Sequence, residues 1–419
     1  MLFKKDAHSD RIFIFTDTAD HEIEKIVQEA QSISSYEVQK KAKEEVFSVI
    51  NDDKLAGVNV IDYRTLSFVD LQALVEKLSL LIPKEQKEEV IILGADESIQ
   101  CKLYVEKHGY RYLSLPYQLD SFAKELKASI EKYKFGETAK VSEGNKSAFR
   151  VAFIGAGGGV GVTTLAASLA KRLSEQIRSQ LLLVNHNFDS KALRFQLSMN
   201  DEEANEVLQP MSQTITKEYV YSSLASTKKE QLRFLLPKLY ESESYSEHSE
   251  KVSKMLAHIE HEFNFIIDDY SAYQQHVIDQ QGIDRFLDNK DRVYIVTDNT
   301  IPAAQNALAL YEKLVSASER YKKIVQFNII VNQIGLRKND ILNDDMLKKV
   351  FSKPYIKFHF DNKLYTEVLS AKKNKYALPA KLDRDMGGFI ENELNLGVST
   401  KQVMPDYLEK LKKLLGRTK

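Results

Sequence analysis

Residues 154–164 read IGAGGGVGVTT, and five of the chain's sixteen glycines fall between Gly155 and Gly161. Glycine loses more backbone freedom on folding than any other residue, so a run this dense marks a bend the main chain has to make. Two hydroxyl residues, Thr163 and Thr164, follow at once. The amides of such a turn, together with the N-terminus of a helix behind it, collect phosphate oxygens.

The flanking residues set the turn between a strand and a helix. AFRVAFIG is an apolar run of strand length, and TTLAASLAKRLSEQ carries Leu165, Leu169 and Leu173 at helical spacing. A dinucleotide fingerprint GxGxxG does not fit, because Val160 and Val162 occupy the places where its third glycine would fall. The acid expected on a ribose after the next strand is also missing, since LLLV runs into Asn185, His186 and Asn187. That disfavours a NAD-linked oxidoreductase. The standard P-loop GxxxxGK[ST] fails too, with Ala156 for its first glycine and Val162 for its lysine.

The stretch Gly157–Gly158–Gly159–Val160–Gly161–Val162–Thr163–Thr164 resembles the deviant P-loop of the MinD/ParA family, roughly KGGxGKT[ST], with Gly157 and Val162 in place of its two lysines. Further elements follow in the family's order. LLLVN at 181–185 stands at the first switch, where Asn185 and Asn187 replace the usual acids, and Asp189 is a candidate substitute acid. FNFIIDDY ends in Asp268 as a Walker B strand would, RVYIVTDN precedes a helix, and FNIIVNQIG places Asn332 where the family binds adenine. KFHFDNKLYTEVLSAKKNKYAL matches the family's late strand, acidic turn and helix. The resemblance implies ATP and magnesium as ligands, contacted by Gly158, Gly159, Val160, Gly161, Val162, Thr163, Thr164 and Asn332, with Thr163 and, through water, Asp268 on the metal. Losing one phosphate-binding lysine removes about 1.5–3 kcal/mol of charge-assisted contact, so weak binding is expected. Asn187 cannot accept a proton, so slow hydrolysis or none is expected and no catalytic residue is assigned.

At 419 residues the chain exceeds one ordinary hydrophobic core. Before residue 138, five short apolar strands alternate with amphipathic stretches, from RIFIFTD to YRYLSLP, which predicts an open parallel sheet covered on both faces. This half resembles the receiver domain of two-component signalling. Asp17 and Asp62 fall on its acidic positions, whereas Gly94 and Leu115 stand where a hydroxyl and a lysine belong. A phosphoryl group on Asp62 would lack its partners, so switching by phosphorylation is not expected. The polar strip TAKVSEGNKSA reads as a linker, which divides the chain into a receiver-like domain (1–137), a linker (138–148), a MinD/ParA-like domain (149–395) and a tail (396–419). ESESYSEHSE at 241–250 reads as a surface loop. The fold class is therefore α/β, two doubly wound parallel-sheet domains.

A receiver-like domain ahead of a MinD-like one is similar to the TadZ/CpaE proteins of Flp-type (Tad) pilus systems. That implies a dimeric scaffold that localises pilus or secretion machinery. An active positioning ATPase of the flagellar or division-site type is the alternative. Lysines and arginines (59) nearly balance aspartates and glutamates (60), so no global field draws the chain to nucleic acid. A single cysteine, Cys101, excludes an intramolecular disulfide and suits a cytoplasmic setting. No stretch reads as a signal peptide or spanning helix. The closing DYLEKLKKLLGRTK has the pattern of a basic amphipathic helix, a candidate contact with the inner face of the cell membrane, and the expected location is cytoplasmic, at that face or at a cell pole.

Overall fold

Two sheets organise the computed structural model, which describes residues 11–33, 37–51, 57–65, 67–82, 86, 89–95, 99–115, 119–135, 148–177, 179–187, 193, 215–226, 231–236, 245–270, 283–334, 342–361 and 378–394. Asp189, most of the polar strip, the late helix expected within 362–377 and the closing amphipathic segment lie outside the described residues.

The first sheet is built from β1 (Arg11–Phe15), β2 (Glu37–Lys41), β3 (Gly57–Asp62), β4 (Val90–Ala95) and β5 (Arg111–Leu115), all parallel in the order β2-β1-β3-β4-β5. Parallel strands need crossovers, and the amphipathic stretches supply them. Helices α1 (His21–Ile33) and α5 (Leu119–Phe135) bury Ile23, Ile26, Phe122 and Leu126 on one face. On the other, α3 (Phe68–Leu81) and α4 (Ile99–Lys107) bury Leu71, Val75 and Tyr104, beside the short α2 (Val46–Asn51). The start of α3 is fixed by a capping box, in which Ser67 Oγ accepts the Asp70 N–H while the Asp70 carboxylate accepts the Ser67 N–H.

The second sheet comprises β6 (Phe149–Gly155), β7 (Leu181–Asn185), β8 (Leu224–Ser226), β9 (Leu232–Leu235), β10 (Phe265–Tyr270), β11 (Arg292–Thr297), β12 (Gln326–Ile334) and β13 (Ile356–His359). Their order is β13-β12-β11-β6-β10-β7-β9-β8. It departs from the all-parallel expectation at one edge, where β8 runs antiparallel to β9. One face is covered by α6 (Val162–Gln176) and by α12 (Ala380–Glu393), which follows β13 in the chain. The other is covered by α7 (Lys217–Ser222), α8 (Tyr245–Ile259), α9 (Ile283–Leu287), α10 (Ile301–Arg320) and α11 (Asp344–Phe351). Helix α8 begins at Tyr245, inside the segment expected to be a loop. Its opening residues are mostly polar, so no apolar period announces it; His248 is already buried, and the apolar packing starts at Val252.

The two sheets share a buried, charged seam. Leu80 of α3 sits in the core under α6, Ser179 Oγ donates to Leu80 O at 2.7 Å, and Asn264 Nδ2 donates to Ile82 O at 2.9 Å. Asp291 accepts from Lys107 Nζ (2.9 Å), His108 Nε2 (3.1 Å) and the Arg150 N–H (2.8 Å). Burial alone would raise Asp291, but His108 and Lys107 outweigh it and hold the carboxyl well below the usual range. Beside it Arg292 Nη2 lies 2.6 Å from Glu76 Oε2, and Gln326 Nε2 donates to Gln72 Oε1 at 2.7 Å. Ser179, Asn264, Asp291 and Gln326 all lie at or just before the starts of their strands, so the first domain docks on the N-terminal edge of the second sheet.

Candidate functional site

The opposite, C-terminal edge carries the glycine turn. β6 leads to β7 across the intervening β10 on one side, whereas β10 leads to β11 on the other side of β6. The chain thus reverses direction beside β6, and ligands of open parallel sheets bind at such a switch point, outside the carboxyl ends of the strands. The loop after β6 opens directly into α6, whose N-cap, Gly161, is left-handed at φ 93°. Gly159 is also left-handed, at 72°.

The valines of the loop do not face outward. Val160 and Val162 are 3% and 5% exposed and belong to the core under α6, and their methyls close on Gly155. Only their main chain is available to a ligand. Gly158 and Gly159 are exposed, and a Cβ at either would meet open space, so nothing in the described residues crowds the front of the loop. Asn332 is occupied: its Nδ2 donates to Val160 O at 2.8 Å. The adjacent Gln333, which the sequence did not single out, donates to Gly159 O at 2.8 Å.

The sequence reading puts Asp268 of β10 on the metal side of the site. Asp268 faces away from α6, into a buried ionic cluster. Arg150 donates to it through Nε (2.5 Å) and Nη2 (2.9 Å), Lys290 Nζ lies 3.2 Å away, and His186 Nε2 lies 2.7 Å away. A carboxylate only accepts, so His186 Nε2 carries the proton. His186 in turn stacks on Tyr270 at 4.0 Å. Burial would raise Asp268, but Arg150 and Lys290 outweigh it and hold it well below the usual range. Lys290 is pushed down to about 8 by its own burial.

Asp269 is the residue that turns toward α6. Alternation along β10 puts it on the face of Phe265 and Ile267, the face that α6 covers. Burial pushes its carboxyl up to about 7, and the nearby Thr163 hydroxyl and the Asn187 amide only partly oppose that. Asn187 Nδ2 donates to Oδ2 at 3.1 Å, while Oδ1 has no hydrogen-bond partner among the described residues. Asn185 Oδ1 accepts the Asn187 N–H at 3.0 Å, and its buried Nδ2 is also without a partner there. Two orphaned polar atoms beside a helix N-terminus and a threonine hydroxyl fit a phosphate-bearing ligand with a divalent cation. Among the described residues no group of three or more His, Cys, Asp and Glu is arranged to hold a metal, so a cation here would draw most of its ligands from phosphate and water, with Thr163. No side chain between Ile154 and Ala166 is cationic.

In the first domain Asp17 and Asp62 lie at the ends of their strands but are already engaged. Asp17 Oδ1 accepts the Lys43 N–H at 3.0 Å. Asp62 is fully buried, accepts from Thr16 Oγ1 (2.7 Å), and is forked by Arg64 through Nε (3.0 Å) and Nη2 (3.1 Å). Arg64 also pairs with Asp20 (2.9 Å) and Glu22. Burial would raise Asp62, but Arg64 and Thr16 hold it below the usual range. At Gly94 a Cβ would lie 1.8 Å from Tyr112 Oη, so the tyrosine fills the space a side chain would need.

No protein-family model matches the sequence, and no curated protein matches it. Solved structures do resemble it. The cell-division ATPase MinD of Pyrococcus furiosus is 16% identical with a TM-score of 0.43, over 58% of this chain and 98% of that one. A ParA-family ATPase from Chlorobium tepidum is 22% identical with a TM-score of 0.44, over 58% and 97%. The MinC:MinD cell-division complex of Aquifex aeolicus gives 16% identity and a TM-score of 0.44, over 61% and 99%.

Proposed function

We propose that the second domain is a MinD/ParA-type nucleotide-binding domain that takes magnesium-bound ATP weakly and turns it over slowly or not at all. The observation that carries this is Asp269: a buried carboxylate with one oxygen that has no partner among the described residues, beside Thr163 at the mouth of a glycine turn. Main-chain amides and the helix dipole would hold the phosphates, and magnesium, when bound, supplies the charge that no loop side chain offers. Asp269 and Thr163 would sit on its side of the site. Turnover needs a group that orients or activates water, and Asn187 is an amide already committed to Asp269. Calorimetry of the full chain with Mg-ATPγS tests the reading, together with phosphate release from Mg-ATP. Binding that is lost in EDTA, with phosphate release far below one turnover per second, is expected. Absence of heat at millimolar nucleotide overturns the binding, and release comparable to an ordinary ATPase overturns the inactivity.

For the whole chain we propose a dimeric TadZ/CpaE-like scaffold that localises pilus or secretion machinery in the cytoplasm, with the first domain a receiver-like module that does not switch. Support comes from the order of the two domains and from Arg64, which neutralises Asp62 where a phosphoryl group would have to arrive. Two measurements decide it: light-scattering mass of the full chain with and without Mg-ATPγS, and pilus assembly after deletion of the gene. Among the described residues no helix is long and apolar enough to cross a membrane.

A further inference from the structure

Two consecutive side chains, Asn332 and Gln333, reach the same glycine loop, each donating to a loop carbonyl at 2.8 Å. A regular strand cannot do this, because successive side chains point to opposite faces. β12 manages it through a bulge. Between Val331 and Ile334 it advances three residues while β13 advances two, from Lys357 to His359. Gln333 takes the extra step in the left-handed region, at φ 59°, a conformation uncommon for a residue with a Cβ. Such strain persists where the surroundings impose it and concentrates at functional positions. The loop is fitted to the same contact: a Cβ on Gly161 would lie 2.3 Å from Asn332 Nδ2.

Peptide geometry gives the contact a direction. In a trans peptide the N–H points opposite to the preceding C=O. Holding Gly159 O against Gln333 therefore turns the Val160 N–H to the other side of the loop, and holding Val160 O against Asn332 does the same for the Gly161 N–H. Left-handed Gly159 and Gly161 flank Val160, which is not left-handed, and such alternation makes a concave nest of amides.

We propose that Asn332 and Gln333 are positioning residues: a two-carboxamide clamp that holds the glycine loop with its amides turned toward a phosphate-bearing ligand, preorganised in the absence of the usual lysines. The proposal rests on the nucleotide reading of this site and adds to it the device that shapes the loop.

Gln333→Gly tests it, because glycine removes the amide and also relieves the left-handed strain. Hydrogen exchange of the full chain, followed in peptides covering 155–163, is expected to run roughly fivefold faster in the variant, the factor one net hydrogen bond represents. The melting temperature is expected to stay level or rise, a combination that a merely structural bulge would not give. Affinity for Mg-ATPγS falls by a similar factor. Unchanged loop exchange in Gln333→Gly overturns the clamp, whatever the wild type binds. Faster exchange in the variant, with no Mg-ATPγS heat from the wild type, upholds the clamp and overturns the nucleotide reading instead. Asn332→Ala combined with Gln333→Gly should accelerate exchange further, and no added effect would overturn the part assigned to Asn332.

Discussion

Asp268 and Asp269 are neighbours on β10 with opposite electrostatic fates: the first is locked to Arg150 at 2.5 Å, the second leaves Oδ1 without a partner among the described residues, beside Thr163. The pleat sends them to opposite faces of the sheet, one into an ionic core and one toward the mouth of α6.

Their asparagine variants should therefore move stability in opposite directions. Asp268 is depressed in the fold, so its stabilisation is present above the unfolded value of about 3.9 and is lost as pH falls below it. Asp268→Asn leaves Arg150 and Lys290 buried without their anion and should cost about 3–5 kcal/mol at pH 7, less as the pH falls below about 4. Asp269 is raised to about 7, so the fold binds a proton that the unfolded chain releases, and stability drops as pH rises from about 4 to about 7. Asp269→Asn should stabilise the ligand-free protein by roughly 1–3 kcal/mol at pH 8 and by nothing near pH 4. Urea denaturation across pH 4 to 8 measures both, and parallel curves for the two variants would refute the assignment of faces.

Restoring the missing lysine is expected to be costly without ligand. Val162 is 5% exposed and packed in the core under α6, so Val162→Lys puts an ammonium where a methyl now fits. A lower melting temperature for the free protein is expected. Mg-ATPγS should bind about tenfold to hundredfold more tightly and recover the melting temperature, because phosphate supplies the missing counter-charge. Calorimetry beside a thermal-shift titration decides it, and equal affinity in the two proteins would show that the side chain at 162 does not reach the phosphates.

Glycines of the loop should differ sharply in tolerance. Gly161→Ala meets Asn332 Nδ2 at 2.3 Å and must hold φ 93°, so a loss of about 1–3 kcal/mol is expected. Gly158→Ala meets open space and lies outside the left-handed region, so it should be near neutral. Guanidinium midpoints of the two variants compare them directly.

The seam between the sheets predicts joint unfolding. Asp291 serves Lys107 and His108 of the first domain and the Arg150 main chain of the second. One cooperative transition is expected for the full chain, with Asp291→Ala costing about 3–5 kcal/mol because it leaves buried donors unpaired. Two separate calorimetric peaks in the wild type would mean the seam does not couple the domains.

Local sequence carried the alternation of strand and helix a long way. Apolar runs bounded by polar turns located β1, β3 to β7 and β10 to β13. Short edge strands such as β8 were not legible, because three residues of mixed polarity carry no period. The glycine turn was equally legible, since only a backbone that must take positive φ concentrates glycine in this way.

What the tertiary structure decided was orientation and partnership. Both aspartates of FIIDDY satisfy a strand pattern buried on two faces, and only the position of α6 beside β6 chose Asp269 over Asp268. Likewise alternation already puts Asn332 on the face of Ile330, but only the bulge in β12 brings Gln333 onto the same loop beside it. The docking of the first domain through Asp291 and Glu76 joins residues 183 and 216 positions from their partners, as with His108 and Arg292. Composition and spacing report what a residue can do within a few turns of itself. Which carboxylate is quenched and which is left open depends on charges that only folding brings within reach.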